Sequence, residues 1–352
     1  MIAAGGPRGG ATRLLVVDGD GVIVHRRARD LPALVQRGDV VVANDAATLP
    51  ASLTGTHGPT GAAIEIRLAG RRSLVRTRRF VAVAFGDGDH RTPTEHRPLP
   101  PALQRGDRLH LGPIGAVVER VLGPPRLIEL AFEGALEEVW EAIARHGRPI
   151  QYAHVAQPLP IWSTWTRLAS VPVAFEPPSA GFVLDWAGVE RLRARGATLV
   201  TLTHAAGISS TGDPALDAML PLDEPYRIPA VTAARIDEAR AAGGRVIAIG
   251  TTVVRALEHA ALPHGRVRAG AGVATQRLGP STRLRVVDAI LSGTHEPGTS
   301  HHELLRAFQG DDVLSALARE LEASGYQTHE FGDFVWLASA PRAAAAAHGA
   351  VA

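Results

Sequence analysis

Apolar residues recur along this chain with two different rhythms. Near both ends, short unbroken apolar runs alternate with stretches of helical spacing. The run RVIAI at 245–249 suits a strand buried on both faces, as in a parallel sheet. Val40 to Ala43 reads as another buried strand, and residues 198–202, residues 283–291 and the run FVWLA read as further strands. RLLVVDGDGVIVHR at 13–26 predicts two strands joined at an Asp-Gly turn. Asp30 is expected to cap a short helix ending near Arg37-Gly38. Further helices are predicted at 135–146, through Arg195 with Gly196 after it, at 231–242, after Gly250 with Thr251 and Thr252 as caps, and from Thr299 or Ser300 to Phe308.

The rhythm changes after Pro50. From 51 to about 132, alternating or β-branched runs such as AAIEIRL, DRLHLG and RLIELAF lie between Gly, Pro and Asp turns. Such spacing predicts a small β-barrel or sandwich. The expected fold class is therefore α/β. Residues 13–50 and 147–340 form the main domain, and 51–146 form an inserted β-barrel-like domain. Residues 1–12 and 341–352 are expected to be flexible tails.

Composition narrows the chemistry. The chain has 352 residues and no cysteine, which excludes disulfides, thiolate metal sites and cysteine nucleophiles. No apolar stretch is long enough for a membrane helix, and the first residues lack the apolar core of a signal peptide, so a cytoplasmic location away from membranes is expected. All 37 basic residues are arginine, yet they exceed the acids by only two. A polyanion partner would need a local patch, and RRSLVRTRRF at 71–80 is the densest one. Trp162 and Trp165 lie in a loop where they either stack a base or pack over the core.

Candidate chemistry sits at strand exits, where α/β folds place ligands. These exits carry Asn44-Asp45, His204, Gly250-Thr251-Thr252 and His295. A strand passing through Gly-Thr-Thr into a helix leaves free N–H groups and two hydroxyls at one spot, which favours a carboxylate or a phosphate. Arg255, one turn on, is placed to clamp such an anion, and its loss is expected to weaken binding while leaving folding intact. The alternative is an ordinary turn with a surface arginine. His295, His301 and His302 lack the spacing of known metal motifs, so no metal is expected. P-loop, GxSxG and GxGxxG motifs are absent.

RLLVVD, GDVVVAND, PSAGF, GGRVIAIGTTVVRALE, VVDAILSGTHEPGTS, LLRAFQG and FGD occur in the order found in the S-adenosylmethionine:tRNA ribosyltransferase-isomerases of the queuosine pathway, and the chain resembles that family. GTTVVRALE is the most specific block. The resemblance implies an α/β domain with an inserted barrel. It implies transfer of the ribosyl part of S-adenosylmethionine, as substrate, to a 7-aminomethyl-7-deazaguanine base in tRNA. The ribose becomes an epoxycyclopentane, adenine and methionine are released, and no metal is needed. It further implies a clamp for the methionine carboxylate at Gly250, Thr251, Thr252 and Arg255. His295 or His204 would be the acid/base, with a rate limb near the reference histidine value of about 6.5. Ser179, Asn44, Asp45 and Glu224 stand in or beside family blocks as further substrate contacts. A monomer or small oligomer is expected.

The sequence also departs from the family. APTAGLHF is PPSAGFVLD here, without the histidine. LHVGxGTF is LTHAAGISSTGD, with His204 shifted by one. NFHLPxSTLL is GTHEPGTSHHELL, which keeps His295. The HSE triplet is replaced by PLDEPY, which keeps Glu224. Two alternatives follow: a related transferase with another nucleoside or a small-molecule acceptor, or a non-catalytic nucleotide- or RNA-binding protein on the same scaffold.

Overall fold

The buried runs from the two ends of the chain meet in one sheet. The computed structural model describes residues 1–7 and 12–339. Its nine-stranded sheet has the order Gly270–Ala274, Glu224–Ile228, Thr198–His204, Val40–Asn44, Val246–Ile249, Ala289–Gly293, Phe334–Ala338, Arg13–Val17 and Ile23–Arg27. The four strands from Thr198–His204 to Ala289–Gly293 are mutually parallel. Their unbroken apolar character has a direct cause, because neighbouring residues serve opposite cores. Val40, Val42, Val246, Ala248 and Ile290 pack with the helices Ala230–Ala241, Thr251–Ala261 and Asp311–Ala323. Val41, Ala43, Ile247, Ile249 and Leu291 pack with Ala28–Leu34 and Trp186–Ala194 on the other face.

Six strands between Ser52 and Phe132 close into a barrel. Ile66, Leu68, Val83, Phe85, Leu109 and Val118 fill it. The helix Leu136–His146 adds Val139 and Ile143 to the same core. Ser52 and Arg148 exchange two backbone hydrogen bonds of 2.8 and 2.9 Å where the chain leaves for the barrel and returns. Phe175, Ile208 and Leu220, from connecting loops, and Leu216, from the short helix Pro214–Asp217, join the barrel core. The barrel thus braces the loops at the sheet's C-terminal edge.

Several local expectations are corrected. Thr251 and Thr252 do not cap their helix. Gly250 is the capping residue, with φ +98° and no side-chain bond, and the two threonines form the first helical turn. Asp30 caps its helix from within rather than from in front: it lies in the 3₁₀ helix Ala28–Leu34, which stops short of Arg37, and its carboxylate accepts from the Arg27 N–H at 3.0 Å. The strand expected at 283–291 runs only over Ala289–Gly293. Upstream, the amides of Arg285, Val286 and Val287 donate instead to the Glu258 carboxylate, at 2.7–3.0 Å. Residues 2–3 do not form a free tail, because they pair in parallel with Gln327 and Thr328. The expected tail at 341–352 lies outside the described residues. Among the described residues no helix is long and apolar enough to cross a membrane.

Glu258 is 3% exposed, and its replacement strands three amides. Glu258→Ala should lower unfolding free energy by about 3 kcal/mol or more in urea titrations, since each buried unmet donor costs about 1–3 kcal/mol. Glu303→Ala, at a half-exposed position, should stay within about 0.5 kcal/mol.

Candidate active site

The parallel strands end on one edge, and their exits carry the residues that shape a cleft. Gly250 must be glycine on two counts. Its φ is positive, and a Cβ there would sit 3.3 Å from the Ala180 Cβ. That close approach brings the loop FEPPSAGF over the N-terminus of the Thr251–Ala261 helix. Glu176, Ser179, Ala180, Gly207, Ser209, Glu224, Thr251, Thr252, Arg255, Ser292, His295 and His301 are among the residues lining the cleft. It encloses about 760 Å³ of non-atom space, the solvent at its mouth included. The first amides of the helix have no intrahelical acceptors and open toward an anion.

Two acid–base systems face this space. Glu176 is buried; its carboxylate accepts from the Tyr152 hydroxyl and, at 3.1 Å, from the Ser209 N–H. Burial, together with the negative charge of Glu330, raises its pKa to about 7, against the lowering effect of those hydrogen bonds. Tyr152 is raised well above its usual value, first by burial and then by the Glu176 charge, and stays protonated. The second system is the stacked pair His295–His301, with ring centroids 4.5 Å apart and planes 13° apart. Burial holds His295 well below the usual histidine value, and it takes His301 down to about 4. Both rings are therefore neutral at pH 7. A rate limb from His295 near 6.5 requires a ring that titrates there, whereas burial moves both rings below that range and moves Glu176 up to about 7.

The structure brings Ser179, Gly250, Thr251, Thr252, Arg255, Glu224 and His295 to the cleft and leaves His204, Asn44 and Asp45 behind its wall. Asn44 staples two strand exits: its amide donates to the His204 carbonyl at 2.9 Å and its oxygen accepts from the His204 N–H at 3.0 Å. Asp45 accepts from Thr203 and Thr201 hydroxyls at 2.7 and 3.1 Å. His204 is wholly buried, with Nε2 3.4 Å from Glu224, and burial plus the Arg255 charge hold it neutral. Arg255 reaches the cleft but is already engaged. It forms an ion pair with Glu224 and donates to the carbonyls of Leu222, Ala274 and Gln276. Sequence reasoning missed Glu176, Tyr152 and Ser209. The available signal was an acidic residue between an apolar strand and Pro177-Pro178.

In the basic stretch 71–80, Arg71 is buried against the carbonyls of Ser73 and Val75. Arg72 and Arg79 pair with Glu129 and Glu119. Trp162 is 70% exposed and Trp165 43%, the latter donating from its indole N–H to the Thr48 carbonyl.

Because Arg255 neutralises a buried carboxylate, Arg255→Ala should unfold the protein more easily, contrary to the expectation that folding survives intact. Breaking one half of a buried pair costs about 3–5 kcal/mol. Arg255→Met combined with Glu224→Gln keeps an acceptor for the Gly207 N–H, now 2.6 Å from Glu224, and should recover most of that loss in guanidinium titrations.

Comparison with known proteins agrees with this geometry. Residues 5–337 match the family described as Queuosine biosynthesis protein. The chain is 32% identical to the S-adenosylmethionine:tRNA ribosyltransferase-isomerase of Symbiobacterium thermophilum, over 92% of each chain. It is 33% identical to the enzyme of that name from Sorangium cellulosum, over 93% of this chain and 91% of the other. In fold it is similar to a crystal structure of S-adenosylmethionine tRNA ribosyltransferase from Thermotoga maritima, with a TM-score of 0.50, 22% identity, and coverage of 95% and 96%. An α/β sheet built from both ends of the chain, an inserted barrel and a cleft at the GTTVVRALE turn thus coincide with a match spanning nearly the whole sequence, and the chain belongs to the queuosine biosynthesis protein family.

Proposed function

We propose that the cleft binds S-adenosylmethionine and that the chain transfers and isomerises its ribosyl part onto a 7-deazaguanine base in tRNA, releasing adenine and methionine. One observation carries this reading. The helix N-terminus of the most specific family block opens onto the same cleft as an ionisable buried carboxyl and a neutral histidine pair.

The reaction starts at a carbon beside a sulfonium, so it needs a base. Glu176 supplies it: the proton passes from carbon to the carboxylate, and the electron pair stays on the carbon next to the positive sulfur. Tyr152 holds that carboxylate through its hydroxyl. The methionine carboxylate is assigned to the open amides of the Thr251–Ala261 helix and the hydroxyls of Thr251 and Thr252, the latter oriented by the Asn44 amide at 3.4 Å, because Arg255 is held by Glu224. Ser179, His295 and His301 supply further wall contacts, and the flat neutral ring pair suits an adenine. Exposed Trp162 and Trp165 and the remaining arginines of 71–80 are the candidate contacts to tRNA.

The direct test is incubation with S-adenosylmethionine and tRNA carrying 7-aminomethyl-7-deazaguanine. Adenine and methionine should appear together, and their absence with a verified acceptor overturns the reading. The base works as carboxylate, so kcat should fall as pH drops through about 7. Glu176→Gln should reduce kcat by about 100-fold or more and abolish that limb, while the Kd for S-adenosylmethionine stays within a few-fold. An unchanged pH profile in this variant would return the role of base to His295.

A further inference from the structure

Behind the Glu176 wall lies a group of side chains that the proposed chemistry does not use. The loop after the helix Leu136–His146 carries His154, whose ring stacks on Tyr152 (centroids 6.2 Å apart, planes 8° apart) and on His329 (4.4 Å, 22°). His154 Nε2 lies 3.1 Å from a carboxylate oxygen of Glu330. One ligand atom from each of His154, His329 and Glu330 falls within 4.8 Å of the others.

We propose that His154, His329 and Glu330 form a binding site for a divalent transition-metal ion of the zinc class. Two imidazoles and one carboxylate are a donor set that zinc and its neighbours accept, and that magnesium and calcium, which take oxygen, do not. The charge count points the same way. Among the described residues no arginine lies within ion-pair distance of Glu330; its partner is His154. A metal takes imidazole in its deprotonated, neutral form, so two such ligands and one carboxylate set a single negative charge against a dication.

The backbone supports the arrangement. Among the described residues His329 is the one non-glycine with a positive φ, +69°. A side chain is held in that region at a cost of order 1 kcal/mol or more, and here it keeps the imidazole over His154. The turn is closed by the Gly332 N–H donating to the His329 carbonyl at 2.9 Å. His329 is exposed while His154 and Glu330 are half-buried, so an ion has an entry path and a partly enclosed seat. Metal–ligand bonds of about 2.0–2.2 Å need ligand atoms about 3.4 Å apart. His154 and Glu330 already meet that spacing at 3.1 Å, and the remaining separations, none above 4.8 Å, close to it as the two rings turn out of their stack. Three protein ligands leave a fourth position open.

The test uses the purified full chain, freed of metal with a chelator. Titration with Zn2+ by calorimetry should give one site per chain, and Co2+ should develop visible absorption bands of a low-coordinate site. Zn2+ should also raise the melting temperature. His154→Ala and His329→Asn should each weaken binding by at least about tenfold and lose the thermal shift. Asparagine tolerates the left-handed backbone, so His329→Asn should keep the metal-free melting temperature. His301→Ala, in the separate histidine pair, should bind as the parent does. No binding by the parent chain, or binding lost in His301→Ala and kept in His329→Asn, overturns the proposal.

Discussion

The cleft depends on one buried ion pair. Arg255, on the helix that follows Gly250, meets Glu224 at the start of the strand Glu224–Ile228. From that contact Glu224 also accepts the Gly207 N–H, and Arg255 also holds three carbonyls from the 222 and 274–276 segments. Helix, antiparallel edge and the 205–209 loop are thereby fixed to one another. A desolvated guanidinium needs a carboxylate and well-placed oxygens to repay its lost hydration, and here it has both. Burial, with the same charge added to it, holds His204 below the usual histidine value, and the amides of the helix N-terminus remain open for the proposed anion.

With the cation committed to structure, the remaining chemistry comes from burial. Burial and the Glu330 charge raise the Glu176 carboxyl to about 7, and among the described residues no cation is paired with it to oppose them. The histidines beside it move the other way, because burial disfavours the charged form of each. In the proposed reaction such a carboxyl, beside neutral rings, would face the sulfonium, the cationic part of the proposed substrate.

The barrel contributes by packing. Phe175 and Ile208, which flank Glu176 and Ser209, sit in the barrel core. A loop carrying a buried carboxyl would otherwise lose rigidity, and its hydrogen bonds to Tyr152 and Ser209 with it. The proposed metal group extends the same region, joined to Glu176 through the ring contact between Tyr152 and His154.

The sequence by itself determined the parallel core, the barrel and the Gly250 turn. Each rests on local rules: apolar runs for strands buried on two faces, β-branched alternation between turns, and glycine at a helix start. It also located Glu224, Arg255 and His295 at strand exits or in family blocks. Only the tertiary structure decided what those residues do. Arg255 became a structural cation because Glu224, 31 positions away, arrives on a neighbouring strand. The strand expected at 283–291 was shortened because Glu258 takes its amides. His154 and Glu330 stand 176 positions apart, so no spacing motif joins them. A side chain's charge state and partners are set by what surrounds it in space, and neither desolvation nor a long-range contact leaves a period along the chain.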